Sequence, residues 1–381
     1  MTALKIFITC PRGLESVLVD ELNALSLQYI HTVDGGVDCT GSWKQVYQIN
    51  LHSRVASRVL VELVRGACPR EDAAYQLALK VNWADWFDVN DLIKVNVTGK
   101  KTPFNRIDIL GLKVKDAVCD VFREKTGKRP SVDKTFPDVR IHMFVEGTQA
   151  RLMLDTSGEA LFKRGYRDDT GEAPLRENLA AGLLLLAGYD GSQAFYDPMC
   201  GSGTIAIEAA LIAKNQAPGL YRHYGFEKLK GFDKALWATI KQNALQAVTD
   251  VVSPLKASDV DRRVLKTALN NAHQAGVDDL IVFNVQDMAQ ATAPAAEGIV
   301  VSNPPYGIRL EDEHFLRGFY PQLGSVLKQQ FSGWKVALIT ADRTLPTGVR
   351  LKPARKIPLF NGKLDCRLFV FDMVKGSNRG D

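Results

Sequence analysis

The sequence has no apolar run of the ~18–20 residues that a membrane-spanning helix needs, and its longest candidates, such as Leu179 to Gly188, are broken by glycine. No transmembrane helix is expected. It also lacks any C-x-x-C pair or histidine cluster at ligand spacing. The six cysteines, Cys10, Cys39, Cys68, Cys119, Cys200 and Cys366, stand singly. That pattern excludes a zinc site, a redox dithiol and a disulfide framework, and it reads as reduced thiols in a cytoplasmic protein. The start, MTALKIFITCPRG, lacks the basic flank, long apolar stretch and small-residue cleavage site of a signal peptide, so secretion is not expected. Internal repeats and low-complexity tracts are absent too.

What is there is an ordinary globular composition, 46% hydrophobic and 24% charged, with 30 glycines and 16 prolines in 381 residues. At roughly 100–200 residues per domain, that length predicts two or three compact units, each able to bury a core unaided. The net charge of +5 is mild but unevenly spread. Between Lys94 and Arg140 twelve Lys/Arg face six Asp/Glu, a surplus of +6, so the rest of the chain sums to −1. A polyanion-binding surface carries such a local surplus.

The first segment predicts a strand over Leu4 to Cys10, a helix over Leu14 to Leu25 and strands around Val37 and Val46, with Gly35-Gly36 as a hairpin turn. A second unit follows from about Leu60. It has a helix near Asp72 to Val81, a β run Leu92 to Val97, a helix Leu110 to Thr126 and a strand Val139 to Glu146, after which the strand Arg151 to Thr156 is expected to return to the first module. After the glycine- and charge-rich stretch Phe162 to Asp169, helices and buried strands alternate from Pro174 onward. Strands are predicted at Ala194 to Asp197, Leu255 to Ser258, Leu280 to Asn284, Gly298 to Ser302 and Trp334 to Thr340, with helices between them. Alternation of this kind predicts a doubly wound, mostly parallel α/β sheet, closed by an antiparallel hairpin around Asn361-Gly362. The stretch Ala217 to Asp250 fits no sheet position and reads as a mostly helical insertion.

Four strand ends carry chemistry. Asp197-Pro198-Met199-Cys200-Gly201-Ser202-Gly203-Thr204 lies where the first strand of the α/β unit turns into a helix. Its glycines let a ligand approach the backbone and the exposed helix N–H groups. A tight strand-to-helix turn without a ligand has the same look. Asp259, within Ser258-Asp259-Val260-Asp261, ends the next strand, where an acid can accept from both ribose hydroxyls. Asp287 follows the third strand, where a carboxylate can accept from an adenine amino group. Either acid alone could be a helix cap. Together, in this order, they favour an adenosine-containing cofactor. The most specific motif is Asn303-Pro304-Pro305-Tyr306-Gly307 at the end of the buried strand before it. Its prolines keep the backbone extended and cannot donate, so the Pro304 carbonyl and the Asn303 side chain can accept from an amino group. Tyr306 offers a flat face to a planar base. Cys200 has no histidine partner and reads as a packing residue.

From residue 161 to 381 the chain resembles a Rossmann-like class I S-adenosylmethionine-dependent methyltransferase of the N-P-P-Y type. D-P-M-C-G-S-G-T-I-A-I-E-A with S-N-P-P-Y-G, preceded by Lys163-Arg164-Gly165-Tyr166-Arg167 and Ala173-Pro174-Leu175-Arg176-Glu177, is similar to bacterial THUMP-bearing methyltransferases that make N2-methylguanine in large-subunit ribosomal RNA. The resemblance implies an α+β ferredoxin-like domain over residues 1–59, completed by 151–160, and a THUMP RNA-binding domain over 60–150. S-adenosylmethionine is the implied cofactor, with no metal. Asp197, Pro198, Cys200, Gly201, Ser202, Gly203, Thr204, Asp259, Asp287 and Asn303 are its expected contacts, and Asn303, Pro304 and Tyr306 the expected catalytic site. Lys100, Lys101, Arg106, Arg123, Lys128, Arg129 and Lys134 fall in the THUMP-like part and are the expected RNA contacts. Some relatives continue into a second methyltransferase domain; with the sequence ending at Asp381, no second activity is expected here.

The expected reaction is methylation of a guanine N2 in 23S ribosomal RNA, presented naked or in an early assembly intermediate. The guanine amino group is a poor nucleophile because its lone pair is delocalised. Two acceptors would hold its hydrogens and aim the lone pair, so the protein would contribute positioning and electrostatic support. Another RNA, DNA adenine N6 or a protein glutamine amide would suit the same acceptors, and a silent RNA-binding assembly factor is the alternative outside catalysis.

Overall fold

The computed structural model describes residues 3–167, 175–305 and 310–374, with backbone alone at 310–314. They divide into two compact units, one drawn from residues 1–9, 19–161 and 221–242, the other from 10–18, 162–220 and 243–381.

In the first unit, strand β1 (Leu4–Thr9) buries Ile6 and Ile8 on one face, as its alternation requires. Helix α1 (Glu15–Ala24), strands β2 (Gln28–Val33) and β3 (Gly36–Gly41), helix α2 (Trp43–His52) and strand β4 (Arg58–Ala67) follow. β1 lies between β3 and β4, antiparallel to both, which makes the order β2-β3-β1-β4 of a ferredoxin-like βαββαβ module. Gly35, at φ 79°, makes the β2–β3 turn. The strand expected around Val46 is instead helix α2. Ser42 and Gln45 form a capping box, with the Ser42 N–H donating to Gln45 Oε1 at 2.8 Å and the Gln45 N–H to Ser42 Oγ at 3.4 Å. That S-x-x-Q signal starts a helix, and it outweighs the local β propensity.

Helix α3 (Glu71–Leu79), strand β5 (Ile93–Lys100), helix α4 (Asp108–Thr126) and strands β6 (Val139–Glu146) and β7 (Gln149–Asp155) extend the same sheet. β4 was not expected as a strand, yet it is the joint. It pairs with β1 through Arg58 to Val61 and with β7 from Leu60↔Asp155 to Ala67↔Gln149. β6 is antiparallel to β7 and parallel to β5, completing seven strands in the order β2-β3-β1-β4-β7-β6-β5.

The second unit follows the expected alternation: α5 (Glu177–Ala187), β8 (Phe195–Asp197), α6 (Thr204–Ala213), then, after α7 (Lys234–Gln246), whose residues 234–242 belong to the first unit, β9 (Leu255–Asp259), α8 (Arg262–Ala275), β10 (Ile281–Val285), β11 (Ile299–Ser302), α9 (Leu310–Gln330), β12 (Lys335–Thr340), the short α10 (Leu345–Gly348), β13 (Arg355–Asn361) and β14 (Leu364–Asp372). Its sheet runs β10-β9-β8-β11-β12-β14-β13. The first five strands in that order are parallel, and β14 is antiparallel to both β12 and β13, the predicted terminal hairpin. Tyr196, Leu327, Phe331, Trp334, Val336 and Phe369 pack in its core.

Residues 221–242, read from sequence as an insertion, pack with the first unit. Phe226 stacks on Tyr224 at 5.0 Å, lies 4.5 Å from Tyr47 and meets the edge of Trp237 at 5.1 Å. The Asp233 N–H donates to Tyr47 Oη at 3.2 Å. A run that fits no sheet position in its own neighbourhood is thus a core segment of another unit.

Candidate active site

β10, β9, β8 and β11 lie side by side, and all end at the same edge of the sheet. After β8 the chain winds out to β9 and β10, then returns to the other side of β8 as β11. Ligands of open α/β sheets bind at such a reversal.

The loop after β8 is shaped for close approach. Gly201 and Gly203 hold φ of 52° and 82°, values that favour glycine, and a Cβ on Gly203 would lie 3.0 Å from Ala268 Cβ. Around Gly201 the Cβ position is open, with nothing within 4 Å. The Cys200 N–H donates to the Ser258 carbonyl at 2.9 Å, and Asn271 Nδ2 to the Ser202 carbonyl at 3.0 Å, so the loop is fixed on both sides. Gly203 caps α6 without any side-chain hydrogen bond, leaving helix N–H groups to a ligand. Thr204 is the first residue of that helix, and Pro198 and Ser202 complete the turn.

Asp259 sits at the end of β9, half-buried. Its Oδ2 accepts the Gly201 N–H at 2.9 Å and its Oδ1 the Asp261 N–H at 3.0 Å. A carboxylate offers about four acceptor sites, so two remain for ribose hydroxyls. Asp261 is spent otherwise: its Oδ1 accepts the Arg263 N–H at 2.8 Å and caps α8. Asp287 is exposed past β10, where it accepts the Ala289 N–H at 2.8 Å and caps a short 3-10 turn. An open loop, a shared carboxylate and a bare helix N-terminus at one sheet edge fit an adenosine-bearing cofactor.

Asp197 is 1% exposed. Its Oδ1 accepts the Ser302 hydroxyl at 2.6 Å and the Met199 N–H at 3.2 Å. Burial pushes its carboxyl up to about 7, against the pull of those two hydrogen bonds, with the charge of Asp259 adding to the rise. Ser302 directly precedes Asn303, which is half-buried, and Pro304, which is buried. Tyr306 lies outside the described residues. Cys200 is buried and its thiol is pushed well up by that burial, so it is no nucleophile at neutral pH.

One group was missed from sequence. Glu208, fully buried in the otherwise apolar α6, accepts from Tyr166 Oη at 3.1 Å and faces Arg164 Nε at 3.5 Å. Arg167 donates to Thr204 Oγ1 and to the Leu175 carbonyl, the latter at 2.8 Å, and pairs with Glu177 at 3.8 Å. These residues brace the start of α6 behind the glycine loop. A lone glutamate in T-I-A-I-E-A-A-L-I-A was the available signal, because a buried charge needs partners.

In the first unit, the expected RNA contacts are all exposed, but they differ. Lys100 pairs with Asp34 at 3.6 Å, Arg106 with Asp108 at 2.8 Å and Arg123 with Asp120 at 2.6 Å. Lys101, Lys128, Arg129 and Lys134 make no ion pair among the described residues. Beside Lys134, Phe136 is 80% exposed. Its backbone is not loose: Asp133 Oδ1 accepts the N–H groups of Thr135 and Phe136 at 2.7 and 2.9 Å, which hold that carboxyl below its usual range. Among the described residues no group of three His, Cys, Asp or Glu could hold a metal ion, and no helix is long and apolar enough to cross a membrane.

The family model of the RMKL-like methyltransferase domain, UPF0020, matches residues 164–369, more than half of the chain. The chain belongs to this methyltransferase family. Ahead of that domain, the RlmL ferredoxin-like domain matches residues 5–60 and the THUMP domain residues 68–155. Among solved structures, SMU.472, described as a candidate methyltransferase and complexed with SAH, is 28% identical with a TM-score of 0.90, over 99% of this chain and 100% of that one. A predicted N6-adenine-specific DNA methylase from Listeria monocytogenes is 30% identical with a TM-score of 0.87, over 97% and 96%. TrmN from Thermus thermophilus, 22% identical over 97% and 100% with a TM-score of 0.72, shares the fold. This methyltransferase therefore uses S-adenosylmethionine, and the site built above fits that cofactor.

Proposed function

We propose that this methyltransferase modifies the exocyclic N2 of a guanine in 23S ribosomal RNA, met naked or early in subunit assembly. The observation that carries the reading is that one chain joins a THUMP domain, with its free surface cations, to an acceptor pair at the end of β11 beside the glycine loop. When bound, the cofactor supplies a methyl group already activated on a sulfonium. We assign its adenosine to Asp259 and Asp287 and its remainder to the loop from Asp197 to Thr204.

The protein's own residues then have two tasks. Asn303, through its carboxamide oxygen, and Pro304, through its carbonyl, accept the two hydrogens of an exocyclic amine, which turns the nitrogen lone pair toward the methyl donor. A proline at 305 cannot donate a competing backbone hydrogen bond. Tyr306 stacks on the base. Lys101, Lys128, Arg129 and Lys134 neutralise phosphates and so position the RNA without reading its sequence.

The named Listeria relative favours a second reading, adenine N6 in DNA, since the same acceptors suit any planar amine. Labelled methyl transfer separates them. The purified protein is given radiolabelled cofactor with rRNA, genomic DNA or bulk protein, and methylated guanines are mapped in rRNA from a deletion strain. Label in guanine N2 of 23S rRNA, and loss of that mark in the strain, is the expected result. Label confined to DNA or protein overturns the reading.

A further inference from the structure

We propose that Ser302 is a positioning residue whose hydroxyl, through Asp197, keeps Asn303 and Pro304 in register with the Gly201–Gly203 loop. The inference rests on the reading of Asn303 and Pro304 as the amine's acceptors.

β8 and β11 are parallel neighbours, but their register ends at Val300↔Tyr196. Asp197 and Ser302 lie past that last pair, each the final residue of its strand before the functional loop and each still paired on its outer side, Asp197↔Ala257 on β9 and Ser302↔Leu338 on β12. At this point Ser302 Oγ donates to Asp197 Oδ1 at 2.6 Å, and the two residues are 0% and 1% exposed. The same oxygen accepts the Met199 N–H at 3.2 Å. One buried oxygen therefore fixes the first turn of the glycine loop and the last residue before Asn303. A hydrogen bond to an ionised or half-ionised acceptor is short, directional and protected from water here, so it resists relative sliding of the two loops. The Ser302 side chain is placed on neither cofactor nor substrate. Its contribution is the distance between donor and acceptor sites, on which rates depend steeply.

The test uses the full-length protein carrying Ser302→Ala or Ser302→Thr. Amide hydrogen exchange, calorimetric affinity for S-adenosylhomocysteine, melting temperature and single-turnover transfer to rRNA at saturating cofactor are read together. For Ser302→Ala, positioning predicts exchange faster by about tenfold and confined to the amides of residues 199–204 and of Asn303, with transfer slowed about tenfold or more. Product affinity should hold within about threefold, because Asp259 and the glycines are untouched. Ser302→Thr, which keeps the hydroxyl, should restore both exchange and transfer. Exchange that rises evenly across the sheet, in step with a lower melting temperature, overturns the proposal by making Ser302 a mere support of the fold. Unchanged exchange and transfer overturn it as well. Should Ser302→Ala not fold, Ser302→Cys, close in size and a weak donor, is read by the same criteria. If the wild-type protein labels no rRNA, the RNA reading falls alone, and the exchange and affinity measurements still decide the link.

Discussion

Asp259 and Asp261 are two residues apart, and their hydrogen bonds give them different work. Asp259→Ala should weaken S-adenosylmethionine binding by about ten- to over a hundredfold, since charge-assisted hydrogen bonds contribute roughly 1.5–3 kcal/mol. Asp261→Ala should lower the melting temperature slightly through its lost cap and leave the affinity alone. Calorimetric titration of both variants checks this, and equal losses of affinity would refute the division. Asn303→Ala should retain cofactor binding while single-turnover methylation falls by about 10²–10³, the usual loss for a preorganised polar group at a reacting centre. Asp197 carries a pH signature. Its carboxyl ionises at 3.8 when unconstrained and at about 7 when buried in the fold. The folded state therefore holds the proton more tightly, and this contribution to stability is full below the unfolded value and is lost as pH rises through 7. Asp197→Asn keeps the acceptor and removes the titration. Without cofactor, its melting temperature should pull ahead of wild type between about pH 4 and pH 7 and the gap should then level off, at roughly several degrees.

The element that tests RNA recognition is the segment between α4 and β6. It is anchored on β5, with the Ile93 N–H donating to the Ser131 carbonyl at 2.9 Å and the Asp133 N–H to the Ile93 carbonyl at 3.2 Å. Lys94 Nζ donates to the Lys134 carbonyl at 2.7 Å. Its tip is thus a shaped platform that presents Lys134 and Phe136. Charge reversal at Lys128, Arg129 and Lys134 should weaken RNA binding and flatten the slope of log affinity against log salt by roughly 0.7–0.9 per lost phosphate contact. Phe136→Ala should act differently. If its ring stacks on an unpaired base, affinity drops by about 1–3 kcal/mol with the salt slope unchanged. Filter binding over a salt series distinguishes the two, and a Phe136 variant with wild-type affinity would remove it from the interface.

At the scale of the whole molecule, each unit includes chain from the other's stretch of sequence. Residues 10–18 belong with the second unit, where Gly13, at φ 92°, has its Cβ direction blocked by the Pro358 carbonyl at 2.3 Å, and Gly182 lies under Leu14. Residues 221–242 belong with the first. No single cut therefore frees an intact catalytic unit. A chain starting at residue 159 should lose the proposed rRNA methylation and also melt lower than the parent, binding apolar dyes as Tyr224, Phe226 and Trp237 lose Tyr47. Replacing 221–242 by a short linker and supplying residues 10–18 in the same chain should recover a soluble protein that binds S-adenosylmethionine. A chain from 159 to 381 as stable as the parent in a melting experiment would contradict this.

Local pattern was enough for much of this protein. The alternation of buried strands and helices after Pro174 announced the parallel sheet and the Asn361-Gly362 turn its closing hairpin, because each depends on neighbours in sequence. Other features depend on partners far along the chain. β4 is recognisable as the joint of a seven-stranded sheet only once β1 and β7 lie on either side of it, and the aromatic run 224–237 has no visible purpose until Tyr47 arrives. Glu208 needed Tyr166 and Arg164 to explain a charge in an apolar helix. Asp197 looked like one more cofactor contact, and its bond to Ser302, 105 residues away, exists only because β8 and β11 are brought side by side. Sequence determined which chemical groups stand at the strand ends; tertiary structure decided which of them touch, since burial and hydrogen-bond partnership are properties of the packed sheet and not of any segment of it.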